Sequence, residues 1–312
     1  MQSLIEVILP VFLVIGYGYL ARRQGWVSDE LVENVMKFAQ NFAVPLLLFT
    51  GIARMDLGQN FHPPILISFY AGALSGGLFC FLGARYLFDR DLTDAVAIGF
   101  IGLFSNSLLL GIPITERAYG EAALAGNFAI ISIHSPMLYA IGIAAMEIAR
   151  TRGLGLSGFG LMRQIARSVL RNPLILGIAA GWIVNLAHIP LPAPVWDAIS
   201  LMTKAAIPAA LFGLGGVLLR YKPEGDMRII GWAVFASLVL HPAIAYGLGH
   251  FVFGLEIGSL RSATLTAAMA PGINAYLFAN MYGVAKRVAA SSVLIGTGLS
   301  ILTIWCWLTI LP

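Results

Sequence analysis

Long apolar runs recur along the whole chain, separated by short breaks rich in charged residues, proline or glycine. A helix needs about 20 predominantly apolar residues to cross the hydrocarbon core of a bilayer. The pattern therefore predicts an all-α integral membrane protein with ten transmembrane spans and no soluble domain between them. The predicted spans are 4–21, 31–53, 63–88, 93–116, 121–149, 172–188, 195–220, 228–253, 259–282 and 288–311.

The composition supports a membrane environment. Of the 312 residues, 59% are hydrophobic and 11% are charged, whereas soluble domains carry about 25% charged residues. No basic residue precedes the first run, and Arg22 and Arg23 follow it, so it is interpreted as a span rather than a signal peptide. Cys80 and Cys306 both lie in apolar runs, which favours small buried side chains over a disulfide or a metal site.

Basic residues are distributed asymmetrically when the loops are assigned alternately to the two sides of the membrane. All but four of the 19 lysines and arginines fall on one side, and the exceptions are Arg54, Arg117, Lys204 and Arg261. Loops rich in lysine and arginine stay in the cytoplasm, so we expect a protein of the cytoplasmic membrane with both termini extracytoplasmic. The net charge of +4 does not indicate a nucleic-acid partner, because the basic residues lie between spans.

The sequence contains an internal repeat at an offset of 163 residues. The offset moves each span onto its counterpart five spans later, and a repeat of five spans must be inverted in the membrane. We therefore expect a first five-helix repeat at 1–150, a cytoplasmic linker at 151–171 and a second, inverted five-helix repeat at 172–312. The matching pairs are Pro10 and Pro173, Gly18 and Gly181, Pro45 and Pro208, Phe49 and Phe212, and Tyr119-Gly120 and Tyr282-Gly283.

Two spans contain helix-breaking residues beside polar ones near their middle, within 104–114 of the fourth span and 269–276 of the ninth. Proline and glycine are also tolerated as kinks in ordinary membrane helices, and serine or asparagine can bond a neighbouring helix. Breaks at equivalent positions of two inverted halves instead favour a binding site, and helix N-termini facing it favour an anion. The candidate substrate-binding residues are Asn106, Ser107, Gly111, Pro113, Pro271, Gly272, Asn274 and Tyr276.

Further polar residues are predicted at membrane depth on other spans. Asn41 and its repeat equivalent Lys204 are substrate-binding candidates, and Lys204 is either a counter-charge for an anion or reaches the outer interface. His134 and His241 are candidates for a proton relay, or are neutral and hydrogen-bonded to a neighbouring helix. Acidic residues are nearly absent from span centres, which leaves Glu116, near a helix end, as the acidic candidate for ion coupling.

Several motifs occur in a consistent order along essentially the whole chain. They are Val44-Pro45-Leu46-Leu47-Leu48-Phe49, Asn106 with Gly111-Ile112-Pro113, Arg171-Asn172-Pro173, Ala210-Leu211-Phe212-Gly213-Leu214-Gly215, and Pro271 through Tyr282-Gly283. In this order and spacing they resemble the auxin efflux carrier family, which includes plant auxin exporters and bacterial carriers of small organic anions. The plant exporters have a long hydrophilic central loop, whereas here it is only 151–171, so auxin itself is not expected as the solute.

The resemblance implies a ten-helix fold similar to that of bile-acid and sodium/proton carriers. It implies a scaffold domain from spans 1, 2, 6 and 7, and a mobile transport domain from spans 3–5 and 8–10. It also implies that spans 4 and 9 cross at Pro113 and Pro271, with Asn106 and Asn274 holding a carboxylate. Elevator-type movement and a homodimer are further implications of the resemblance.

Taken together, the patterns predict a secondary carrier of a small organic anion, such as a mono- or dicarboxylate, that works by alternating access. One alternative is a carrier of another solute on the same fold, driven by Na⁺ or H⁺. A membrane-embedded enzyme is a remote alternative, since the sequence has no HExxH or GxSxG motif and no paired carboxylates in span centres. The expected partners are the anionic substrate, membrane lipid and a second copy of the chain; no cofactor, metal or nucleic acid is expected.

Overall fold

The computed structural model describes residues 4–56, 58, 61–151, 160, 162–163, 166–167 and 170–312. Within these residues the secondary structure is helical and no strand is formed. The predicted linker, 151–171, lies largely outside the described residues. The helices are α1 (Ile5–Arg23), α2 (Asp29–Ala53), α3 (Pro63–Leu87), α4 (Leu92–Leu103), α5 (Ile112–Tyr119), α6 (Glu121–Arg150), α7 (Pro173–Leu186), α8 (Ala193–Leu218), α9 (Met227–Val252), α10 (Ile257–Ala267), α11 (Ile273–Tyr282) and α12 (Lys286–Ile310).

Seven helices of the described chain, α1, α2, α3, α6, α8, α9 and α12, are long and apolar enough to cross a membrane, and α4 and α7 are shorter apolar helices. Large apolar side chains point outwards from several of them, such as Leu13 (60% exposed), Phe42 (61%) and Ile183 (61%). Apolar surface of this kind is costly in water but not against lipid. The prediction of an all-α, multi-pass membrane protein is confirmed, whereas ten spans in two inverted repeats stay a prediction.

Two helices are interrupted where the sequence predicts breaks. The first break separates α4 from α5 and contains a short π-helical turn, Ser107–Gly111, just before α5. The second break, 268–272, separates α10 from α11. Each break therefore divides a predicted span into two shorter helices.

Single residues set the ends of several helices. The Leu174 N–H donates to Asn172 Oδ1 at 3.0 Å, and this cap starts α7 just before Pro173. α5 and α11 end at Gly120 and Gly283, whose φ angles of 85° and 77° lie in the left-handed region. Only glycine adopts such angles at little cost. These two glycines occupy equivalent positions in the predicted repeat.

The helices α1, α2, α7 and α8 pack against one another at glycines. A Cβ on Gly18 of α1 would overlap the backbone carbonyl oxygen of Phe212 in α8. A Cβ on Gly181 of α7 would lie 2.9 Å from the carbonyl oxygen of Phe49 in α2. Small residues at these crossings let the helix backbones approach closely, as in other membrane helix pairs.

A second packed group contains α3, α4, α6 and the helices from α9 onwards. α3 and α4 cross at Gly76 and Gly102, and a Cβ on either would come within 2.8 Å of the carbonyl oxygen of the other. The buried rings of Phe100 in α4 and Phe278 in α11 stack with their centroids 4.1 Å apart. This packing fixes both broken helices against α3 and α6.

The two cysteines differ in exposure. Cys80 is buried in α3, as predicted, but Cys306 is exposed on α12. The prediction that both thiols are buried is therefore wrong for Cys306. An apolar run identifies a membrane helix, but it does not reveal which of its faces is turned towards lipid.

Candidate functional site

The two breaks lie side by side and their backbones are hydrogen-bonded to each other. Ser105 and Pro271 form an isolated antiparallel bridge. The Asn106 N–H donates to the Ala270 carbonyl oxygen, and the Gly272 N–H donates in return to a carbonyl of the first break, both at 2.8 Å. Unpaired backbone N–H and carbonyl groups are costly inside a membrane. Each break supplies hydrogen-bond partners for some of those groups in the other break.

A cavity of about 270 Å³ lies beside the paired breaks. Its walls come from α2, the first break, the middle of α6, the start of α7 and the first turn of α11. This volume is close to the lower end of the usual range for ligand pockets, so it suits a small solute. The polar residues that line it are Gln40, Asn41, Ser105, Asn106, Ser107, His134, Ser135, Tyr139, Arg171, Asn172 and Asn274.

The cavity has a one-sided charge. Among the described residues that line it, Arg171 is the one with a formal charge at neutral pH when histidine is neutral, and none is a carboxylate. The remaining polar groups are amides, hydroxyls and one imidazole. A concave surface that carries a single sign of charge concentrates ions of the opposite sign, so the electrostatics favour an anion.

Asn106 lines this cavity and carries a buried donor without a partner in the described chain. The residue is 6% exposed, and its Nδ2 has no hydrogen-bond partner among the described residues. The hydroxyl groups of Ser105 and Ser107 are hydrogen-bonded to each other at 2.7 Å and make no hydrogen bond to Asn106 Nδ2. A buried donor without an acceptor costs about 1–3 kcal/mol. An acceptor atom of a bound solute would remove that cost.

Asn274 faces the same cavity from the first turn of α11. The Tyr139 hydroxyl of α6 donates to Asn274 Oδ1 at 3.1 Å. This bond orients the amide so that Nδ2, a donor, is the group left for a solute. The Tyr139 ring is itself held against Phe100 and Phe104, with centroids 5.5 and 5.7 Å away. Tyr139 therefore acts as a positioning residue for Asn274.

Two helix N-termini also face the cavity. The turn that leads into α5 starts at Ser107, α11 starts at Ile273, and both residues line the cavity. The first N–H groups of a helix have no partner within that helix, and the helix dipole places partial positive charge there. These backbone groups add to the amide donors in attracting an anion.

The other predicted break residues shape the backbone and do not line the cavity. Pro113 is buried in the first turn of α5, and Pro271 is buried against α12. A Cβ on Gly272 would lie 3.2 Å from the ring of Phe104, which is a tight fit. Gly111 has ordinary van der Waals space around it, so its place in the break does not depend on a close contact.

Predicted site residues on other elements are scattered. Asn41 lines the cavity from α2, whereas its repeat equivalent Lys204 is exposed on α8 and does not line it. Glu116 is exposed towards the end of α5 and also lies off the cavity. Tyr276 lies outside it too, with its ring centroid 4.8 Å from that of Tyr221. Burial raises the pKa of the Tyr221 hydroxyl, which therefore stays protonated.

The two candidate relay histidines occupy different surroundings. His134 lines the cavity, is 3% exposed and packs against Phe104 with centroids 4.6 Å apart. Within the described chain neither of its ring nitrogens makes a hydrogen bond of regular geometry, although the Ser105 backbone is close. His241 lies off the cavity, and its Nε2 is 3.1 Å from the Phe69 carbonyl oxygen. Of the two, His134 is the one that a solute in the cavity can meet.

Tyr139 and Arg171 are candidate functional residues that the sequence patterns did not reveal. One signal for Tyr139 was available, because Ser132, Ser135 and Tyr139 are spaced by three and four residues and so share a face of a helix. Arg171 belongs to a family motif, but a basic residue at the end of a loop is ordinarily attributed to membrane topology. Its position on the cavity wall emerges only from the fold.

A multi-pass helical membrane protein with a small cavity, lined by both polar and apolar groups, at two broken helices has the architecture of a membrane transporter. A family model described as "Membrane transport protein" matches residues 3–156 and 158–308. The chain belongs to this family, the auxin efflux carrier family. The resemblance predicted from the sequence is thereby confirmed, and the protein is a transporter rather than an enzyme.

Similar proteins align over nearly the whole chain. The "Putative malonate transporter" of Rhizobium meliloti (strain 1021) is 25% identical over 310 residues, covering 97% of this chain and 94% of the relative. The "Uncharacterized transporter YfdV" of Escherichia coli (strain K12) is 23% identical, with 96% and 95% covered. The "Auxin efflux carrier component 5" of Arabidopsis thaliana is 22% identical, with 94% and 92% covered.

Proposed function

We propose that this protein is a secondary carrier of a small organic anion, a mono- or dicarboxylate, which binds in the cavity beside the two breaks. The observation that carries the proposal is a cavity whose described walls hold one cation and no carboxylate, and whose lining residue Asn106 has a buried Nδ2 donor without a partner among the described residues. A carboxylate supplies strong acceptor oxygens for this donor and for the amide of Asn274.

The comparison with known proteins supports a carboxylate as the solute. One relative with 25% identity over most of both chains is named for malonate, a small dicarboxylate. At this identity the solute of a relative is a guide to the chemical class and not to the compound. The substrate class proposed here therefore rests on the cavity and is consistent with that name.

We further propose ten spans in two inverted repeats, in which α4 and α5 together form span 4 and α10 and α11 form span 9. The glycine contacts support this arrangement. The offset of 163 that relates Gly18 to Gly181 also relates Phe49 to Phe212, so it maps the contact of α1 with α8 onto that of α7 with α2. The same type of helix crossing thus occurs twice, as expected for a duplicated and inverted unit.

The cavity lies between the two proposed domains, which supports an elevator-type mechanism. α2 and α7 of the scaffold (α1, α2, α7 and α8) form one wall, and the first break, α6 and α11 of the transport domain form the other. Asn106 and Asn274 both belong to the transport domain. An anion held by these two amides would travel with that domain past a fixed wall, giving alternating access.

We place the protein in the cytoplasmic membrane with both termini outside, surrounded by lipid and paired as a homodimer. Five ion pairs of the described chain lie at the predicted cytoplasmic ends of helices, consistent with loops rich in lysine and arginine staying on that side. These pairs are Arg22 with Asp29, Arg90 with Asp226, Arg220 with Asp29 and Glu33, and Arg287 with Glu224.

Uptake of radiolabelled carboxylates into proteoliposomes tests the proposed function. We expect saturable uptake of at least one small mono- or dicarboxylate, inhibited by the unlabelled acid but not by its uncharged amide. Protein-free liposomes provide the background. If no organic anion shows saturable, protein-dependent flux, the protein is not a carrier of this class.

A proton-driven carrier is the second candidate, and His134 is the observation that favours it. Its imidazole lines the cavity without a regular hydrogen bond, and an imidazole nitrogen can accept and release a proton. The same vesicles separate the alternatives when a pH gradient or a Na⁺ gradient is imposed. Uptake that follows the pH gradient, and loses this response in His134→Gln, indicates proton coupling; uptake that ignores both gradients indicates a uniporter.

Tyr139→Phe is expected to weaken carboxylate binding by about 2- to 10-fold, the value of one hydrogen bond. The variant keeps the ring but removes the hydroxyl that orients Asn274. Titration of the purified protein with a carboxylate, followed by its melting temperature, measures the change. Tyr246→Phe is the matched control, because Tyr246 lies on α9 away from the cavity. Equal affinity in the two variants would show that Tyr139 does not position the amide.

A further inference from the structure

We propose that Arg171 binds a second carboxylate, so that the site selects a short dicarboxylate over a monocarboxylate of the same length. The inference rests on the proposed function, which assigns the first carboxylate to the amides at the helix breaks. Arg171 lines the cavity and is exposed. It is also the one formal charge among the described lining residues.

The Arg171 guanidinium is available to a ligand, because it has no ion pair, hydrogen bond or ring contact with the described residues. Most other described arginines are engaged through the guanidinium. They are Arg22, Arg54, Arg85, Arg90, Arg117, Arg150, Arg220, Arg261 and Arg287. An arginine presents a planar set of donors that matches a carboxylate in bidentate geometry.

The backbone that follows Arg171 is fixed, which anchors the start of its side chain at the cavity wall. The next residue, Asn172, caps α7 by accepting a hydrogen bond from Leu174 N–H at 3.0 Å, and Pro173 follows in the first turn. α7 in turn packs against α2 at Gly177, where an added Cβ would overlap a backbone carbonyl. Arg171 is therefore anchored to the proposed scaffold and not to the transport domain.

The cavity thus presents two separate sets of donors. Asn106 and Asn274 offer amide groups at the breaks, and Arg171 offers a guanidinium at the start of α7. A monocarboxylate satisfies one set at a time, whereas a dicarboxylate satisfies both at once, so the second contact adds to the first without a second binding event. A cavity of about 270 Å³ is small, so we expect a short spacer between the two carboxylates.

An arginine near a cavity can also act only through its long-range field. In that role Arg171 would attract every anion to the protein, and another cation on the same side of the membrane would have a similar effect. The two roles differ in a measurable quantity, the ratio of dicarboxylate to monocarboxylate affinity. A direct bond to the second carboxylate changes this ratio strongly, while a screened surface charge changes it weakly.

The test compares malonate with propionate, which share three carbons and differ by one carboxylate, on the purified full chain by calorimetric titration. We expect Arg171→Gln to lower malonate affinity on the order of 10- to 100-fold and propionate affinity by less than about fivefold. Arg171→Lys keeps the charge but loses the planar pair of donors that binds a carboxylate in bidentate geometry. Its affinity for malonate should therefore lie between those of wild type and Arg171→Gln. Arg228→Gln removes an exposed charge of the predicted cytoplasmic side outside the cavity and should preserve the ratio.

Several results would overturn the proposal. An equal loss of malonate and propionate in Arg171→Gln, or a changed ratio in Arg228→Gln, would reduce Arg171 to a long-range charge. If Arg171→Gln does not fold, Arg171→Lys decides between the two roles. A reduced preference for malonate in Arg171→Lys supports the proposal. An unchanged preference shows that the guanidinium makes no bond to the second carboxylate. If wild type binds and transports propionate and other monocarboxylates but no dicarboxylate, the inference fails while the proposed function stands. If wild type binds no carboxylate, the proposed function fails as well.

Discussion

Asn106→Asp is expected to abolish carboxylate binding, with a loss in affinity of at least about 100-fold. The substitution preserves the shape of the side chain but replaces the unpaired Nδ2 donor by an acceptor that carries negative charge. At 6% exposure the new charge is poorly screened by water, so it repels an anionic solute far more than a surface charge would. The measurement is a titration of the purified variant with the best carboxylate found for wild type.

The comparison with Asn106→Ala sharpens this expectation. Alanine removes the donor without adding charge, so we expect a loss of about 10- to 100-fold, the value of one hydrogen bond to a charged group, and a smaller loss than for Asn106→Asp. Without ligand, Asn106→Ala should melt at the same temperature as wild type or higher, because it also removes an unsatisfied buried group. A lower carboxylate affinity in Asn106→Asp than in Asn106→Ala is the result expected only if Asn106 contacts an anion.

Asn280→Asp provides the matched control for the aspartate variant. Asn280 lies on α11 six residues after Asn274, is exposed and does not line the cavity. The same chemical change there should alter affinity by less than about twofold, as for other surface substitutions. If Asn106→Asp binds the carboxylate as tightly as Asn280→Asp, the solute does not contact Asn106 and the site has been misplaced.

Alanine at Gly18 or Gly215 is expected to destabilise the protein by about 3 kcal/mol, the upper range for overpacking. A Cβ on Gly18 would overlap the Phe212 carbonyl oxygen, and a Cβ on Gly215 would overlap that of Ile15. Both obstacles are backbone atoms of a packed helix, which cannot rotate away as a side chain can. The helices α1 and α8 must then separate, and the apparent melting temperature should fall by roughly 5–10 °C.

Gly16→Ala is the control for these variants. Gly16 lies on the same helix as Gly18, but an added Cβ would find no atom within 4 Å. Alanine favours helix over glycine by up to about 1 kcal/mol, so this variant should be as stable as wild type or more stable. If Gly18→Ala and Gly16→Ala have the same melting temperature, α1 and α8 do not cross closely at Gly18.

The positions of the two breaks could be predicted from the sequence, because local chemistry determines them. Proline and glycine weaken the helix ladder wherever they stand in a span, and polar residues beside them, such as Asn106 and Asn274, need partners that lipid does not offer. Both residues do line the cavity. The all-helical membrane fold follows from the apolar runs for the same local reason.

Other members of the site depend on contacts between distant segments and could not be read from a single run. Tyr139 stands on the uninterrupted helix α6, and only the packing of α6 against α11 brings its hydroxyl to Asn274. Lys204 illustrates the opposite error, since the repeat pairs it with Asn41 although only Asn41 lines the cavity. Equivalent positions in the proposed repeats can therefore differ in whether they line the cavity.

The hydrogen bonds that join the two breaks are made by main-chain atoms alone, since they run between N–H and carbonyl groups. No side chain at the cavity takes part in these hydrogen bonds. Substitutions at cavity residues such as Asn106, Asn274 and Arg171 should therefore alter solute affinity while leaving this backbone junction in place.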